Sequence, residues 1–333
     1  MNSLSKPIIP GDKQDLKANK NAKMAEAKKA KADEFYTALK DIESEVSSYV
    51  THFKNKVVFC NCDDPEWSNF WQYFHANFDA LGLKRLIATY YTNNGSSAGV
   101  LTCHDESRRP DGTPQVVKTD LQGDGDFRSQ ECLDLLDQAD IVCTNPPFSL
   151  FREFIALLML KNKKFLVLGN QNAITYKEIF PLIMENRLWL GVDNGGTKWF
   201  RVPNNYEIQT ESRKKIENGK KYFSMGSIVW FTNLTHKRRN QTIPLWKKHL
   251  GNEAEYPIYG NHKAINVNKV EDIPVDWDGA VGVPITFLTK YNPKQFQILG
   301  FRKGVDGRDL FYTTSDNKNV VPYFRILIQG KTP

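Results

Sequence analysis

Residues 141–148 read IVCTNPPF, so a segment typical of a buried strand runs directly into two consecutive prolines. Proline has no N–H to donate to a sheet ladder, and its ring is excluded from the interior of a helix. The apolar pattern resumes at helical spacing over 151–160, which predicts a helix after the prolines. The motif therefore predicts a rigid corner between a strand and a helix.

Predicted strands and helices alternate on both sides of this corner, from residue 55 to residue 192. Such alternation predicts βαβ units, a mostly parallel sheet and an α/β fold. The segment 92–114, rich in Gly, Ser, Asn and Pro, predicts a loop. The predicted strands are 56–60, 83–91, 140–144, 164–169 and 188–192, and the predicted helices are one that begins at Asp33 and continues through Tyr49, 67–81, 130–138, 151–160 and 175–186.

Three turns of this pattern are rich in polar residues and follow predicted strands. They are residues 61–65, 124–127 and 145–148. Ligands of parallel α/β sheets bind beyond the carboxyl ends of the strands, so we expect the three turns to converge there. After about residue 195 the pattern becomes strand-rich and irregular, which predicts a second region built around added strands.

The chain carries a net charge of +7, and its basic residues are concentrated in three clusters. One is the lysine-rich stretch 13–31, and the others lie within 213–221 and 236–249, where aromatic residues such as Trp246 are interleaved. Each cluster alone is equally compatible with a solvated lysine-rich face, but three together favour an anionic polymer as partner. The candidate nucleic-acid contacts are Lys214, Lys215, Arg238 and Arg239.

Cysteine usage and hydropathy predict a soluble cytoplasmic protein. The five cysteines are sparse and odd in number, which favours free thiols in a reducing compartment. Cys60 and Cys62 form a close pair, but no second pair follows at zinc spacing, so we predict no metal site. No apolar run approaches the roughly 18 residues of a membrane span, and the first residues have no apolar signal segment.

The corner offers a specific chemistry to a bound ligand. The side-chain oxygen of Asn145 and the carbonyl of Pro146 are two neutral acceptors, which together can hold both hydrogens of an –NH₂ group. Orienting those N–H bonds frees the nitrogen lone pair for attack, and Phe148 can stack on the flat ring that bears the amine. The alternative is a proline corner that only ends a strand. Its position in the middle of an α/β pattern favours the functional interpretation, activation of a planar amine.

The tetrapeptide at 145–148 resembles the [D/N/S]-P-P-[Y/F] motif of adenine-specific DNA methyltransferases. Further stretches, in the same order along residues 28–330, resemble the EcoRI-type family: KADEFYTALKDIESEV, KVVFCNCDDPEWSNFWQYF, GDGDFRSQE, TNPPFSLFREF, AINVNKVEDIPVD, GVPITFLTKYNPKQFQILGFRKGVD and PYFRILI. The resemblance implies transfer of a methyl group from S-adenosylmethionine to the exocyclic amine of adenine in duplex DNA, after the adenine is flipped out of the stack. Carried over, Asn145 and Pro146 hold the amine and Phe148 stacks on the base.

The family's Rossmann-like methyltransferase sheet, followed by a strand-rich C-terminal DNA-recognition region, is the implied α/β fold. A polar, lysine-rich composition predicts a basic flexible arm over 1–32. The resemblance implies an S-adenosylmethionine-binding catalytic domain over 33–194 and a target-recognition region over 195–333 that completes the fold. The implied setting is a restriction–modification or phage or plasmid protection system acting on double-stranded DNA, with GAATTC as the suggested site. The implied protein is a monomer.

The resemblance also implies the cofactor-binding residues. A simple turn aspartate is the alternative for Asp126. The implied residues are Phe35, Tyr36 and Thr37 for the methionine part, Asp126 and Phe127 for the adenine, and Cys60, Asn61, Asp63 and Asp64 in the loop after the first strand.

Two departures from the wider superfamily concern this loop and the second strand. Asn61 and Asp63 stand where F-x-G-x-G has glycines, and the second strand ends in Tyr90 and Tyr91 instead of an acidic residue that grips the ribose. We take Asp63 or Asp64 as the substitute for that residue. Three other functions stay open at this point: methylation of an RNA base, methylation of a protein glutamine, and DNA binding without a cofactor.

Overall fold

The computed structural model describes residues 36–62, 64, 68–91, 98–202, 204 and 206–331. The predicted arm over 1–32, the predicted cap Asp33, and the predicted cofactor residues Phe35 and Asp63 lie outside the described residues. The α-helices of the described part are α1 (Leu39–Val46), α2 (Val50–Phe53), α3 (Asn69–Ala76), α4 (Phe78–Leu81), α5 (Gln130–Gln138), α6 (Phe151–Leu160) and α7 (Phe180–Met184).

The strands fall into one large sheet and three smaller ones. Those before residue 203 are β1 (Tyr36–Thr37), β2 (Val57–Cys60), β3 (Arg85–Thr89), β4 (Gly99–Arg108), β5 (Pro114–Asp120), β6 (Ile141–Thr144), β7 (Lys164–Asn170), β8 (Trp189–Leu190) and β9 (Phe200–Val202). The later ones are β10 (Lys214–Glu217), β11 (Lys220–Phe223), β12 (Ile228–Thr232), β13 (Ala264–Asn266), β14 (Ala280–Pro284), β15 (Phe296–Phe301), β16 (Tyr312–Thr313), β17 (Asn319–Val320) and β18 (Arg325–Gly330).

The large sheet has eight strands in the order β5-β4-β3-β2-β6-β7-β12-β8. Its central strands β3, β2, β6 and β7 are parallel neighbours, as the alternating pattern predicts. The strands on both flanks pair antiparallel. The result is a mixed α/β sheet whose parallel part lies at its centre.

The predicted loop over 92–114 is wrong for β4 (Gly99–Arg108) and for Pro114, where β5 begins. β4 pairs antiparallel with β3 along five residues, and β5 pairs antiparallel with β4. The polar composition of the segment reflects its position at the edge of the sheet, where much of β5 is exposed. Pairing with β3 is a tertiary contact, so local turn composition did not reveal it.

The amino-terminal helix is shorter than predicted. Tyr36 and Thr37 form β1, which pairs antiparallel with β9, and the helix begins only at Leu39. Helical spacing could not distinguish these residues from a helix because their strand partner is more than 160 residues away in the sequence. The predicted helix 67–81 is interrupted at Asn77, and the helix predicted over 175–186 is reduced to α7.

Both faces of the large sheet are covered, and successive strand residues pack into different hydrophobic clusters. On β2, Val58 and Cys60 pack with apolar residues of α1 and α3, whereas Phe59 packs with those of α5 and α6. All three side chains are fully buried. Burial on both faces explains why the central strands read as continuous apolar runs.

The C-terminal region contributes to the large sheet as well as to its own. β12 lies between β7 and β8, so the strand-rich segment after residue 195 contributes a strand to the eight-stranded sheet. The four-stranded sheet β13-β14-β18-β15 packs its buried side chains into the same cluster as α5 and α6. The two parts of the chain therefore share one continuous core.

A buried carboxylate fixes the loop after β8. Glu45, on α1, is fully buried and accepts hydrogen bonds from the backbone N–H of Val192 (2.8 Å) and Asp193 (2.5 Å) and from the hydroxyl of Tyr49 (2.7 Å). Burial raises the pKa of Glu45, and the donors oppose that shift. A Cβ at Gly191 would lie 2.1 Å from Glu45 Oε1, so this approach requires glycine. The carboxylate joins α1 to the chain that leads into β9.

We expect Glu45→Ala to lower the free energy of unfolding by about 3 kcal/mol, because it leaves two buried backbone N–H groups and a phenol without an acceptor. Urea denaturation followed by circular dichroism measures this. The matched control is Glu43→Ala on the exposed face of the same helix, which should change stability by less than about 0.5 kcal/mol. Equal effects of the two substitutions would contradict the role of Glu45.

Candidate active site

The candidate site lies where the order of strands reverses. β2 and β6 are parallel neighbours, but the chain leaves β2 toward β3 and leaves β6 toward β7, in opposite directions. A crevice opens at the carboxyl ends of two such strands. Asn61 follows β2 at this edge, and Asn145 follows β6.

The corner after β6 has the rigid geometry that its prolines predict. Thr144 and Pro146 are buried, and Asn145 and Phe148 are half-buried. The N–H of Leu150 donates to the carbonyl of Pro147 (2.9 Å), which closes a short 3₁₀ turn before α6. The backbone of the corner is therefore held on both sides, by the pairing of β6 with β7 before it and by this turn after it.

Phe148 is positioned by an aromatic residue far away in the sequence. Its ring meets that of Phe200, on β9, edge to face, with centroids 6.3 Å apart and an interplanar angle of 82°. Phe200 is fully buried, so it is a fixed support for a ring that is itself half-buried. Sequence patterns did not identify Phe200, because the contact depends on the pairing of β9 with β1 and β11.

Two buried polar atoms near the end of β2 are available to a ligand. Thr37 Oγ1 and Asn61 Nδ2 are buried and have no hydrogen-bond partner among the residues that the structure describes. Asn69, at the start of α3, donates to the carbonyl of Thr37 (2.6 Å) and thereby holds β1 beside the helix that follows β2. Buried polar atoms in proteins normally have partners, so these atoms fit a polar ligand bound at this edge.

The other residues predicted around the cofactor loop lie close by. Cys60 is the fully buried last residue of β2, and Asp64 is half-buried, its carbonyl accepting the N–H of Ser68 (2.6 Å). Tyr36 is half-buried on β1 and pairs with Arg201 on β9. The structure thus brings Tyr36, Thr37, Cys60, Asn61 and Asp64 to one edge of the molecule.

The turn 124–127 reaches the same edge. β5 ends opposite the start of β4, which in turn lies opposite the end of β3. Gly125 has a φ of 80°, and a Cβ there would lie 2.1 Å from the carbonyl oxygen of Tyr90, just after β3. The described residues of the three turns therefore lie at the carboxyl edge of the sheet, as predicted.

Asp126 and Phe127 are held by contacts within the protein. The carboxylate of Asp126 accepts two hydrogen bonds from the guanidinium of Arg128 (2.6 and 2.9 Å), which hold the pKa of Asp126 below its usual value. Asp126 is therefore ionised at neutral pH and remains an acceptor. Phe127 is buried, with its ring edge to face against Phe154 at 5.2 Å, so it packs into the core behind the turn.

The two candidate lysines lie on a hairpin next to β9. Lys214 and Lys215 begin β10, which pairs with β11, and β11 pairs with β9. Lys214 Nζ lies 3.0 Å from Glu211, and Lys215 Nζ lies 2.6 Å from Glu217. The sheet order β1-β9-β11-β10 thus connects the predicted cofactor strand, the support of Phe148 and the basic hairpin.

The two candidate arginines make contacts within the chain. Arg238 donates to the carbonyl of Val192 (2.6 Å), in the loop held by Glu45. The guanidinium of Arg239 lies 3.8 Å from the ring centroid of Trp189 and donates to Asn186 (3.0 Å). Their predicted contact with DNA stays a prediction.

A buried lysine near the site was not predicted from the sequence. Lys198 is 2% exposed, and its Nζ lies 3.0 Å from Asp193 and 3.9 Å from Asp41. It anchors the chain two residues before Phe200. A lone lysine in a polar stretch gives no signal of burial, since its acidic partners come from two different elements.

Neither a metal centre nor a membrane span is found in the described part of the chain. Within 36–331, apart from the gaps given above, no three His, Cys, Asp or Glu residues are grouped so that they could hold a metal ion. No helix described there is long and apolar enough to cross a bilayer.

Comparison with known proteins identifies relatives over nearly the whole chain. The family model described as "Adenine-specific methyltransferase EcoRI" matches residues 23–331. The type II methyltransferase M.EcoRI of Escherichia coli is 49% identical over 322 residues, which cover 93% of this chain and 97% of M.EcoRI. The type II methyltransferase M.MgeORF184P of Mycoplasma genitalium is 44% identical over 82% of this chain and 84% of its own, and M.MpnI of Mycoplasma pneumoniae is 42% identical over 82% and 83%.

We expect Gly125→Ala to displace the turn 124–127 from the end of β3, because the new Cβ would overlap the carbonyl of Tyr90. Affinity for S-adenosylmethionine, measured by calorimetry, should fall by about tenfold or more, an energy of about 1.4 kcal/mol. Gly112→Ala is the matched control, since Gly112 has a φ of 84° but open space around its Cβ position. Gly112→Ala should introduce strain from its positive φ but no steric overlap, and its affinity for S-adenosylmethionine should equal that of the wild type. Unchanged affinity for S-adenosylmethionine in Gly125→Ala would show that this turn is not part of the cofactor site.

Proposed function

The chain belongs to the family of EcoRI-type adenine-specific methyltransferases, and from that premise we propose how its residues carry out the reaction. The enzyme is a site-specific DNA methyltransferase that modifies adenine. We propose that it transfers the methyl group of S-adenosylmethionine to the exocyclic amine of an adenine flipped out of duplex DNA. The observation that carries this proposal is the placement of the 145–148 corner at the strand end beside the predicted cofactor residues of β1 and β2.

The corner holds the amine through two neutral acceptors. Asn145 Oδ1 and the carbonyl of Pro146 accept the two N–H bonds of the adenine amine, which turns the nitrogen lone pair toward the methyl donor. Proline fixes φ at Pro146 and Pro147, so little conformational freedom is lost when the amine binds. Phe148, supported by Phe200, stacks on the flipped base.

The cofactor fits the polar atoms at the neighbouring strand end. S-adenosylmethionine, when bound, supplies a methyl carbon made electrophilic by its positively charged sulfur. Thr37 Oγ1 and Asn61 Nδ2, together with the residues Tyr36 and Phe35, are the proposed contacts of its methionine part. Asp126, kept ionised by Arg128, is the proposed acceptor for its adenine amine.

The remaining proposed cofactor contacts are those of the loop after β2 and of the turn core. They are Cys60, Asp63, Asp64 and Phe127. In the transfer itself the amine nitrogen forms a bond to the methyl carbon as the carbon–sulfur bond breaks, and the amine then loses one proton. No residue around the amine needs to be a strong base. The methylated amine carries a positive charge until it loses that proton to solvent, and in this state it is acidic.

The fold and domain roles follow from the same premise. We propose that the eight-stranded sheet is the family's Rossmann-like cofactor-binding sheet and that most of 195–333 reads the target. Restriction–modification or protection of phage or plasmid DNA is the proposed setting, with a monomer acting in the cytoplasm. Lys214, Lys215, Arg238 and Arg239 are the proposed phosphate contacts. The 49% identity with M.EcoRI supports GAATTC as the proposed target.

Labelled-methyl transfer to DNA tests the reaction and the target together. Duplexes with GAATTC, duplexes with a single altered base in that site, an RNA and a protein mixture are incubated with enzyme and labelled S-adenosylmethionine. Mass spectrometry should find N6-methyladenine in the first duplex alone. Label on another duplex would correct the target, whereas label on RNA or protein and no methyladenine in any duplex would overturn the proposed reaction.

We expect Asn145→Ala to lower the methyl-transfer rate by about a hundredfold or more, because it removes one of the two acceptors that orient the amine. DNA affinity should stay within several-fold of the wild type. Asn145→Asp keeps an acceptor oxygen at the same place and should restore much of the rate. Single-turnover kinetics measures the rate, and full activity of Asn145→Ala would exclude the assigned role.

We expect the paired substitution of Lys214 and Lys215 by Gln to flatten the dependence of DNA affinity on salt. Each lost phosphate contact reduces the slope of log K against log salt by about 0.9. Binding titrations between 50 and 200 mM salt, about the range over which such contacts are lost, provide the measurement. Lys56→Gln, at the amino edge of β2, removes a charge away from the site and should keep the slope. An unchanged slope in the paired variant would show that neither lysine contacts a phosphate.

A further inference from the structure

Tyr323, just before β18, is a large aromatic side chain that is 71% exposed. Isolated exposed apolar residues are common on protein surfaces, so exposure alone carries no argument. What distinguishes Tyr323 is that the surrounding backbone and side chains hold it in place while its ring remains in solvent.

The backbone around Tyr323 is strained. Phe324 has a φ of 28° and Arg302 a φ of 56°, in the left-handed region that bulky residues rarely adopt. The two segments are joined next to Phe324, because the N–H of Arg302 donates to the carbonyl of Arg325, the following residue (2.8 Å). Such conformations persist only where the surrounding structure enforces them, and they are concentrated at functional sites.

A buried arginine enforces this conformation. Arg325 donates to the carbonyl of Tyr323 (2.8 Å) and is itself held by Asn266 (3.0 Å) and Asn268 (2.7 Å). Asn266 also accepts the hydroxyl of Tyr259 (2.8 Å). A charge-assisted network therefore fixes the backbone that carries the exposed ring.

A series of aromatic rings connects Tyr323 to the catalytic half of the protein. Phe180, the first residue of α7, lies 5.0 Å from Phe301, which stacks on Phe324 at 5.8 Å and 22°. Phe324 meets Tyr323 edge to face at 4.1 Å. These contacts form one continuous series of packed rings from α7 to Tyr323.

The series begins near the edge of the sheet that carries the proposed site. α7 follows the segment that leaves the carboxyl end of β7, the neighbour of β6. Tyr176, four residues before Phe180, receives the guanidinium of Arg152 at 5.3 Å. Arg152 is the second residue of α6, which starts directly after the 145–148 corner.

Two cations, Arg302 and Lys303, follow β15 and share one acidic partner. The guanidinium of Arg302 lies 5.1 Å from the ring centroid of Phe324, and the side chain of Lys303 is 63% exposed. Asp309 pairs with both cations, at 2.5 and 3.6 Å. A protruding aromatic ring beside cations suits a partner that combines phosphate with flat bases.

We propose that Tyr323 is an aromatic wedge that enters the DNA duplex next to the target adenine and replaces the stacking that the flipped base leaves. This inference rests on the proposed function and assigns a residue to the flipping step. A base extruded from the stack leaves a gap between neighbouring base pairs, and an apolar side chain that fills the gap stabilises the extruded state. The strained, hydrogen-bonded backbone keeps the ring extended before DNA arrives, so the ordering cost of binding is small.

The test uses the full-length enzyme and the duplex that the wild type methylates, with 2-aminopurine in place of the target adenine. Fluorescence of 2-aminopurine rises when the base leaves the stack. Tyr323→Ala should lose most of this rise and bind the duplex about ten- to a hundredfold more weakly, the effect of removing one stacked ring. Tyr323→Phe keeps the ring and should behave as the wild type.

Three further readouts separate this role from others. The salt dependence of DNA binding should be unchanged in Tyr323→Ala, because no phosphate contact is lost. Its affinity for S-adenosylmethionine and its unfolding midpoint should also match the wild type, since the ring is exposed. Leu160→Ala, at an exposed leucine (78%) in the catalytic half, is the matched control and should change none of these properties.

The outcomes distinguish failure of the inference from failure of the proposed function. Suppose that the wild type methylates DNA and that Tyr323→Ala binds the same duplex and flips its base as efficiently as the wild type. The wedge role of Tyr323 is then wrong, and the proposed reaction is unaffected. If the wild type methylates no duplex, the proposed function fails first. A lower salt slope in Tyr323→Ala would also overturn the wedge, because it would indicate a contact to the phosphate backbone.

Discussion

Two adjacent backbone positions that cannot donate a hydrogen bond set the position of the whole site. β6 is paired on both sides, with β2 and with β7, and its ladder ends at Thr144 opposite Val167. Beyond that point Pro146 and Pro147 have no N–H for either neighbour, so the chain must leave the sheet. Because β6 is a central strand beside the reversal of strand order, the corner is forced into the crevice where the turn after β2 also lies.

The second constraint is the loop that follows β8. Buried Glu45 takes the backbone N–H groups of Val192 and Asp193, and buried Lys198 pairs with Asp193 and Asp41. This loop leads directly into β9, whose Phe200 supports Phe148. Since β9 pairs with β1 on one side and β11 on the other, one small sheet connects the proposed cofactor strand β1, the ring of Phe200 behind Phe148 and the basic hairpin.

Elements with strong local patterns were predicted within a residue or two. The helices over 130–138 and 151–160 and the strands over 56–60, 140–144 and 164–169 are present, because their apolar spacing or apolar runs coincide with burial against the sheet. β4, which lies within the segment 92–114, was predicted as a loop, and β1 was predicted as the start of a helix. In each of these cases the partner strand, and not the local sequence, decided the conformation.

The rigid geometry of the corner could be predicted from the sequence, since Asn145, the two prolines and Phe148 are neighbours along the chain and short-range sterics determine their geometry. The chemistry proposed for it stays a prediction. Family membership could also be predicted from the sequence, because several of the family's motifs occur in it in the same order. Only the tertiary structure decided which distant residues complete the site, such as Phe200 behind Phe148 and Arg128 on Asp126, or that Phe127 packs into the core. It alone showed the strained support of Tyr323. Contacts between residues far apart in sequence depend on strand pairing and packing, which no local pattern encodes.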